Sequence, residues 1–218
     1  FHGRLSFSWP KTAGQFVLNA GQPDYDPLFP YGFGLDYRTP AKPLGTLSEV
    51  SGVDASLSNR TVFFARGTAP APFAAKADAG VSRSAVDSPT QQEGAMRVAW
   101  SGGRAAFTIA GPEMDWSRES NADLSLRIQY RVDTVPKGAV ELAIPESAAG
   151  KGVNATALFS RKPGEWQTAT ISLKCFATVN PGLKKVVAPL RITANAPFAI
   201  SIADARIVSD PNASTCPE

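Results

Sequence analysis

Carboxylate, aromatic and guanidinium side chains crowd into one short segment, residues 113–119, which reads Glu-Met-Asp-Trp-Ser-Arg-Glu. A saccharide site needs this mixture, because an aromatic ring covers the apolar face of a sugar while charged groups hydrogen-bond its hydroxyls. Trp116 and Arg118 are therefore candidate substrate-binding residues. Trp166 is a third, because a strand beginning there places it in phase with two threonines on a solvent-facing side. The alternative for the segment is an ion-paired loop at the rim of a domain, with Trp116 half buried.

The single histidine restricts the catalytic chemistry that the chain can support. His2 lies beside the first residue, where chains are poorly ordered by default, so a Ser-His-Asp triad or a zinc site with histidine ligands is not expected. Asp24 and Asp26 flank Tyr25 in a proline-rich stretch. Carboxylates in that setting accept backbone N–H bonds and stabilise turns, so we do not interpret them as a catalytic pair.

Two further features leave alternatives open. Cys175 and Cys216 either form one disulfide or remain a buried thiol and a thiol in a polar tail, because spacing alone does not decide. Asp204 is a possible calcium ligand at a sheet edge, although calcium needs several more oxygens. The alternative for Asp204 is a salt bridge to Arg206 or Arg97. We predict no metal site and no cofactor.

Composition excludes several functional classes. The chain has 218 residues, a mass of 23.0 kDa, 22 Lys+Arg, 19 Asp+Glu and a net charge of +3. Such a length suits one domain with an appendage. The basic residues are scattered, so nucleic-acid binding is not expected. No apolar run reaches the roughly 20 residues of a membrane helix, so no membrane association is expected. The first residues resemble neither an initiator methionine nor a signal peptide, so we expect a mature piece of a longer protein.

Four regions follow from the distribution of prolines, glycines and aromatic residues. Residues 1–40 interleave aromatic side chains with helix-breaking prolines and glycines, which predicts an extended arm that lies on another body. Residues 41–60 are a candidate linker, and residues 61–212 carry recurrent strand patterns separated by turns. Residues 213–218 form a tail. The arm cannot build a core of its own, so it packs on the same chain or on a partner.

The strand patterns predict an antiparallel β-sandwich with about eight strands. Apolar residues alternate with polar ones over residues 123–132, which excludes a helix there. A change of phase between Ile202 and Ile207 predicts a one-residue bulge near Asp204. Residues 71–78 are the one place where a helical turn or two is suggested. Similar strand patterns occupy residues 61–64, 94–100, 104–109, 140–144, 166–173, 186–194 and 198–208.

Two strings near the start carry a family resemblance. GRLSFSWP at 3–10 and DYDPLFPYGFGL at 24–35 resemble the closing segment of the second, α/β domain of glycoside hydrolase family 3, in the branch of β-D-glucan glucohydrolases. Shorter motifs are similar to the C-terminal domain of bacterial members of that branch, a β-sandwich like a carbohydrate-binding module: LGTLSE at 44–49, QEGAMR at 92–97, SRESN at 117–121, Trp166 and LKCF at 173–176. The resemblance therefore covers nearly the whole chain.

The resemblance implies a periplasmic or secreted hydrolase that releases glucose from β-1,3/1,4-glucans with retention. That reaction needs a nucleophilic carboxylate and an acid/base carboxyl about 5 Å apart. In the family both belong to parts that precede this chain, so no catalytic residue is assigned here and the chain alone is expected to be inactive. Its partners would be the remainder of the enzyme, a possible second copy and β-glucan oligosaccharides. We expect a structural, docking or oligomerisation role, with glucan binding as the alternative.

Overall fold

A computed structural model describes two compact units, Phe1–Ser58 and Asn59–Glu218. The structure describes residues 3–12, 15, 18–34, 46–47, 61–147, 150–210 and 216–217. The predicted linker, residues 41–60, lies outside them apart from residues 46–47, and so does most of the predicted tail. No helix in the described ranges is long and apolar enough to cross a membrane.

The first unit is an irregular antiparallel ladder. Residues 5–9 run against residues 28–33: the Leu5 N–H donates to the Phe33 carbonyl at 2.8 Å, and the Trp9 N–H donates to the Phe29 carbonyl at 2.8 Å. The Ser8 hydroxyl lies 2.7 Å from the hydroxyl of Tyr25 and ties the intervening loop to the ladder. This extended conformation is the one that the proline and glycine spacing predicts.

The second unit is an antiparallel β-sandwich, as predicted. Its described residues form the strands β1 (Val62–Ala65), β2 (Ala74–Ala77), β3 (Val81–Val86), β4 (Ala95–Trp100), β5 (Ala105–Ala110), β6 (Leu124–Thr134), β7 (Val140–Ala143), β8 (Val153–Asn154), β9 (Trp166–Ser172), β10 (Leu190–Ala194) and β11 (Phe198–Ser209). Two short helices, α1 (Ser117–Asn121) and α2 (Leu173–Phe176), and two 3-10 turns, Leu158–Ser160 and Pro181–Leu183, connect them.

The strands form two sheets. The six-stranded sheet has the order β3-β4-β11-β6-β9, and β1 also pairs with β11. The five-stranded sheet has the order β2-β5-β10-β7-β8. The two orders share one feature: a strand late in the sequence, β11 or β10, lies between two antiparallel pairs of earlier strands.

A β-bulge at Ala203 keeps β11 in phase with the core. The pairing of β11 with β6 skips one residue between Ile202 and Asp204, which confirms the predicted bulge. Because of that extra residue, Ile202 and Ala205 are both buried although they are an odd number of positions apart. Asp204 therefore points away from the core.

Large apolar side chains from both sheets fill the space between them. Trp100 is buried and stacks on Phe198 with ring centroids 5.2 Å apart, and its indole N–H donates to the carbonyl of Ala105 at 2.9 Å. This confirms the core position predicted for Trp100. The strand predicted for residues 123–132 is also confirmed, because Leu126, Ile128, Tyr130 and Val132 are all buried.

Three local expectations differ from the structure. The helical turn suggested for residues 71–78 is wrong, because β2 occupies Ala74–Ala77 as an edge strand paired with β5. The edge strand β3 was not predicted, since its side chains are small or polar and only partly covered. In the segment 186–194 only Leu190–Ala194 forms a strand. Pairing at the sheet edges, which local periodicity does not report, accounts for β2 and β3. Residues 186–189 precede the central strand β10 and do not continue its pairing with β5 and β7.

Cys175 and Cys216 form a disulfide, which decides the alternative left open above. Cys175 lies in α2, directly after β9 of the six-stranded sheet, and is buried. The bond to Cys216 therefore attaches the end of the described chain to this sheet. The cysteines are 41 positions apart, so the bond encloses β10 and β11 in one covalent loop.

Candidate functional site

Trp116 is buried rather than displayed. The residue is 4% exposed, and its ring stacks on Phe63 of β1 with centroids 5.4 Å apart and an interplanar angle of 28°. Its backbone N–H donates to the Leu183 carbonyl at 2.8 Å. A ring closed off in this way has no free face for a sugar, so the exposed position that the Trp116 prediction requires is not found. Of the alternative, the ion-paired loop is found, since Glu113 forms an ion pair with Lys185 at 3.1 Å, but Trp116 is buried and not half buried.

Arg118 lies on α1 and is exposed. It stands beside Asp115, whose pKa is lowered mainly because the Ser117 backbone N–H and side chain donate hydrogen bonds to the carboxylate. The charges of Lys184 and Arg118 act on it in the same direction. This geometry anchors the start of α1 and leaves the Arg118 guanidinium facing solvent, so its contact with a glycan stays a prediction.

Trp166 lies on the outer face of the six-stranded sheet, on the edge strand β9. The guanidinium of Arg131 on the neighbouring strand β6 stands 5.2 Å from the centre of its ring, within the range of a cation–π contact. The ring is partly exposed, so glycan contact at Trp166 also stays a prediction. Trp166 pairs near one end of β6 and α1 precedes the other end, roughly 20 Å away along the strand. The structure therefore does not bring Trp166 together with Arg118.

Carboxylates on that outer face are held by arginines. Asp133 accepts hydrogen bonds from Arg131 Nε at 2.7 Å and from the Ser201 hydroxyl at 2.6 Å. Asp204 accepts two hydrogen bonds from Arg206, so the salt-bridge alternative predicted for Asp204 is the one found. In the described part of the chain no group of three or more His, Cys, Asp or Glu side chains could hold a metal ion.

The outer face of the five-stranded sheet forms a groove of about 780 Å³. The floor of the groove consists of side chains on the outer face of β5 and β10. Successive side chains of a strand point to opposite faces, so burial of Phe107 and Ile192 in the core places Thr108, Arg191 and Thr193 on the outer face. Small alanines between the polar residues leave the groove open, and Ser147 and Lys151 stand along one wall. No candidate residue from the sequence lies in this groove.

The strand register aligns one row of side chains across the groove. Lys76 on β2 pairs with Thr108 on β5, and Thr108 pairs with Arg191 on β10, which pairs with Ala143 on β7. Strands lie about 4.8 Å apart, so the Cα atoms of Lys76 and Arg191 are separated by about 10 Å. The row therefore places two cations on one line across the sheet.

A second outward-facing row lies two residues away along each strand. Ala106, Thr193 and Glu141 are paired across β5, β10 and β7. Arg104 spans this row and forms two hydrogen bonds with Glu141, at 3.2 Å and 2.9 Å. The hydrogen bond and the charge of Glu141 raise the pKa of Arg104. At the other edge Asp78 accepts the Ala106 N–H at 2.9 Å, so both carboxylates near the groove already have donors.

Arg191 connects the floor of the groove to its wall. The residue is largely covered by protein, with 8% of its surface exposed, and the guanidinium donates to the carbonyls of Ser147 and Gly150. Burial lowers the pKa of Arg191, and the negative charge of Glu141 acts in the opposite direction. A buried guanidinium bonded to carbonyls keeps its positive charge, which raises the electrostatic potential of the groove.

Comparison with known proteins places the sandwich in a family. Residues 61–207 match the family model Exop_C, described as galactose-binding domain-like. The chain belongs to this family. The Exop_C sandwich and the arm together are similar to the exo-1,3/1,4-β-glucanase ExoP of a Pseudoalteromonas species, with 23% identity, a TM-score of 0.55 and 97% of this chain covered. The chain spans 28% of the length of that enzyme.

Two smaller structures show the same fold. The extra C-terminal domain of ExoP is 17% identical, with a TM-score of 0.55, covering 71% of this chain and 96% of that domain. A family 30 carbohydrate-binding module from a Clostridium thermocellum cellulase is 14% identical, with a TM-score of 0.50, covering 70% of this chain and 98% of the module. No curated protein matches the sequence. The predicted resemblance to the C-terminal part of such a glucanase and the predicted fold like a carbohydrate-binding module are both confirmed.

Proposed function

We propose that this chain is the C-terminal, non-catalytic part of a retaining β-glucan hydrolase of glycoside hydrolase family 3, in which it docks on the catalytic domains. One observation carries the proposal: the similarity to ExoP covers 97% of the chain, so the arm and the sandwich both have counterparts within one glucanase. The whole enzyme would release glucose from β-1,3/1,4-glucans. Its two carboxyl groups would come from the domains that precede this chain.

The aromatic side of the first unit supports a docking role. Trp9, Phe29 and Phe33 line an open, mainly apolar pocket of about 430 Å³, and Trp9 is 45% exposed. Phe29 contacts both of the other rings, with centroids 6.0 Å and 4.7 Å away. Exposed apolar clusters of this kind mark surfaces that pack against another protein. In the proposal that surface covers part of the α/β domain, and a homodimer is a further arrangement it would allow.

A periplasmic or secreted location is part of the proposal. The Cys175–Cys216 disulfide supports it, since such bonds persist in oxidising compartments and are rare in the cytosol.

The test combines this chain with the separately produced catalytic domains. Alone, the chain is expected to release no glucose from laminarin or a chromogenic β-glucoside. Mixed with the catalytic domains, it is expected to bind them and raise their thermal midpoint. Trp9→Ser is expected to abolish that binding, whereas Phe7→Ser, which alters an exposed ring outside the pocket, is expected to leave it intact. Glucose release by the chain alone, or no binding to the catalytic domains, would refute the proposal. Binding that survives Trp9→Ser would exclude the pocket at Trp9 as the docking surface.

A second candidate function is β-glucan binding, and the partly exposed ring of Trp166 on the outer face of the six-stranded sheet favours it, since an aromatic ring covers the apolar face of a sugar. The structures similar to this chain include a carbohydrate-binding module. Affinity electrophoresis in laminarin and in mixed-linkage β-glucan gels measures this directly. Retardation that Trp166→Ala or Arg118→Ala removes would assign those residues to the glycan, and unretarded migration would exclude the function.

A further inference from the structure

The charge of the groove is inconsistent with a site built for a neutral glucan. Its lining carries four cations, Lys76, Arg104, Lys151 and Arg191, whereas Asp78 is the one carboxylate among the described lining residues. Glu141 offsets Arg104 through the paired hydrogen bonds described above. The potential of the groove is therefore positive, set by cations from β2, from β10 and from the segment before β8.

Two of these cations are free to meet a ligand. Lys76 and Lys151 are both exposed, and neither ammonium forms an ion pair with any residue that the structure describes. They stand at opposite edges of the sheet, since β2 and β8 are its outer strands, which are about 19 Å apart. A single small anion cannot contact both, whereas an oligosaccharide with several anionic groups can.

The rest of the lining suits sugar hydroxyls but not sugar stacking. Thr108, Thr193 and Ser147 offer hydroxyl groups along the same floor and wall. None of the described residues that line the groove is aromatic, so the platform that usually holds the apolar face of a neutral sugar is missing. Binding in this groove must therefore draw on charge and hydrogen bonds.

We propose that the groove across the outer face of the five-stranded sheet binds an acidic saccharide, a chain whose sugars carry carboxylate or sulfate groups. Lys76 and Lys151 contact the anionic groups from the two edges. Arg191 holds the wall in place through the Ser147 and Gly150 carbonyls and adds its charge from below. This ligand class differs from the β-glucan of the proposed function, so either proposal can fail while the other stands.

Isothermal titration of the whole chain tests the proposal with four probes: oligogalacturonate for carboxylate, carrageenan oligosaccharides for sulfate ester, laminarin oligosaccharides as the neutral control, and sodium sulfate as the free anion. At least one acidic oligosaccharide is expected to bind at low ionic strength and to weaken strongly at about 1 M salt, where the Debye length is about 3 Å. The carboxylate and sulfate arms then identify which anionic group the groove takes.

Variants locate the binding. Lys76→Glu combined with Lys151→Glu is expected to weaken the binding of the acidic oligosaccharide by at least about tenfold, since two attractive contacts are lost together and each is replaced by repulsion between like charges. Lys137→Glu combined with Lys162→Glu makes the same change of net charge at exposed lysines outside the groove and is expected to leave the affinity within about twofold. Circular dichroism of both double variants checks that the sandwich is folded.

Four results would overturn the proposal: no acidic oligosaccharide binds at low salt; laminarin oligosaccharides bind as tightly as acidic ones; the groove variant binds as the control variant does; or sodium sulfate binds as tightly as the oligosaccharides. The second result would favour the β-glucan function at this same groove. Failure of the acidic probes leaves the docking test with Trp9→Ser unaffected, so the two outcomes remain distinguishable.

Discussion

Removing the disulfide tests how much the covalent loop contributes to the sandwich. Cys216→Ser leaves the buried Cys175 side chain in place, so the change removes the cross-link without opening a cavity in the core. The bond joins residues 41 positions apart. In the chain-entropy model, closing a loop of that length restricts the unfolded state enough to stabilise the fold by about 4 kcal/mol.

The assay is urea denaturation of the oxidised protein, followed by tryptophan fluorescence and circular dichroism. We expect the free energy of unfolding to fall by about 4 kcal/mol and the thermal midpoint to fall by roughly 8–16 °C for a unit of this size. The original chain in reductant is expected to unfold as the variant does, whereas reductant has no effect on the variant itself. Pro217→Ser is the matched control, because it alters the adjacent residue and retains the bond.

A clear result would refute this reasoning. If the original chain is fully oxidised by intact mass and Cys216→Ser still unfolds within about 1 kcal/mol of it, the loop does not constrain the unfolded state as the entropy model requires. The residues around Cys216 would then contribute nothing to the cooperative unit.

Three further perturbations separate structural from binding roles. Trp116→Ala is expected to lower the free energy of unfolding by about 3–5 kcal/mol in urea denaturation, because it empties the space on Phe63, with glycan affinity unchanged in the folded protein. Trp166→Ala removes a partly exposed cation–π contact and is expected to cost about 0.5–1 kcal/mol by the same measurement, and a larger loss would contradict its surface position. Deleting Ala203 removes only the extra residue of the bulge, so Asp204 stays on the outer face and the folded circular dichroism spectrum is expected to be retained, whereas deleting the paired residue Ala205 turns Arg206 toward the core and is expected to abolish it.

Strands with one buried face were predictable, because apolar and polar residues alternate along their sequence. The alternation over 123–132 gave β6 and its buried face, and the change of phase after Ile202 gave the bulge. The edge strands β2 and β3 left no such trace, since alanine, serine and lysine at an exposed edge look like a loop. Local pattern thus reports burial on one face and says little about pairing at an edge.

The binding surfaces were harder to predict than the fold, because they depend on register between distant strands. Trp116 was predicted to bind a sugar or to be half buried, and Phe63, which covers it, lies far away in the sequence on β1. In the sequence, Lys76 and Arg191 are far apart and no motif links them. The pairing of β2, β5 and β10 places them in one row across the sheet. No sequence motif near either residue indicates a groove. The composition therefore shows a small net positive charge but does not show where on the surface that charge is concentrated.

The strand orders have a consequence for how the molecule is assembled during synthesis. Before residue 190 is made, the chain can form only separate pairs, β3 with β4 and β6 with β9 for one sheet, β2 with β5 and β7 with β8 for the other. The central strands β10 and β11 are synthesised after all the other strands, and each must insert between two pairs that can already have formed. Contacts between residues so distant in sequence favour slow folding. Neither sheet can close while β10 and β11 are still missing, so the nascent sandwich stays open until its final strands have left the ribosome.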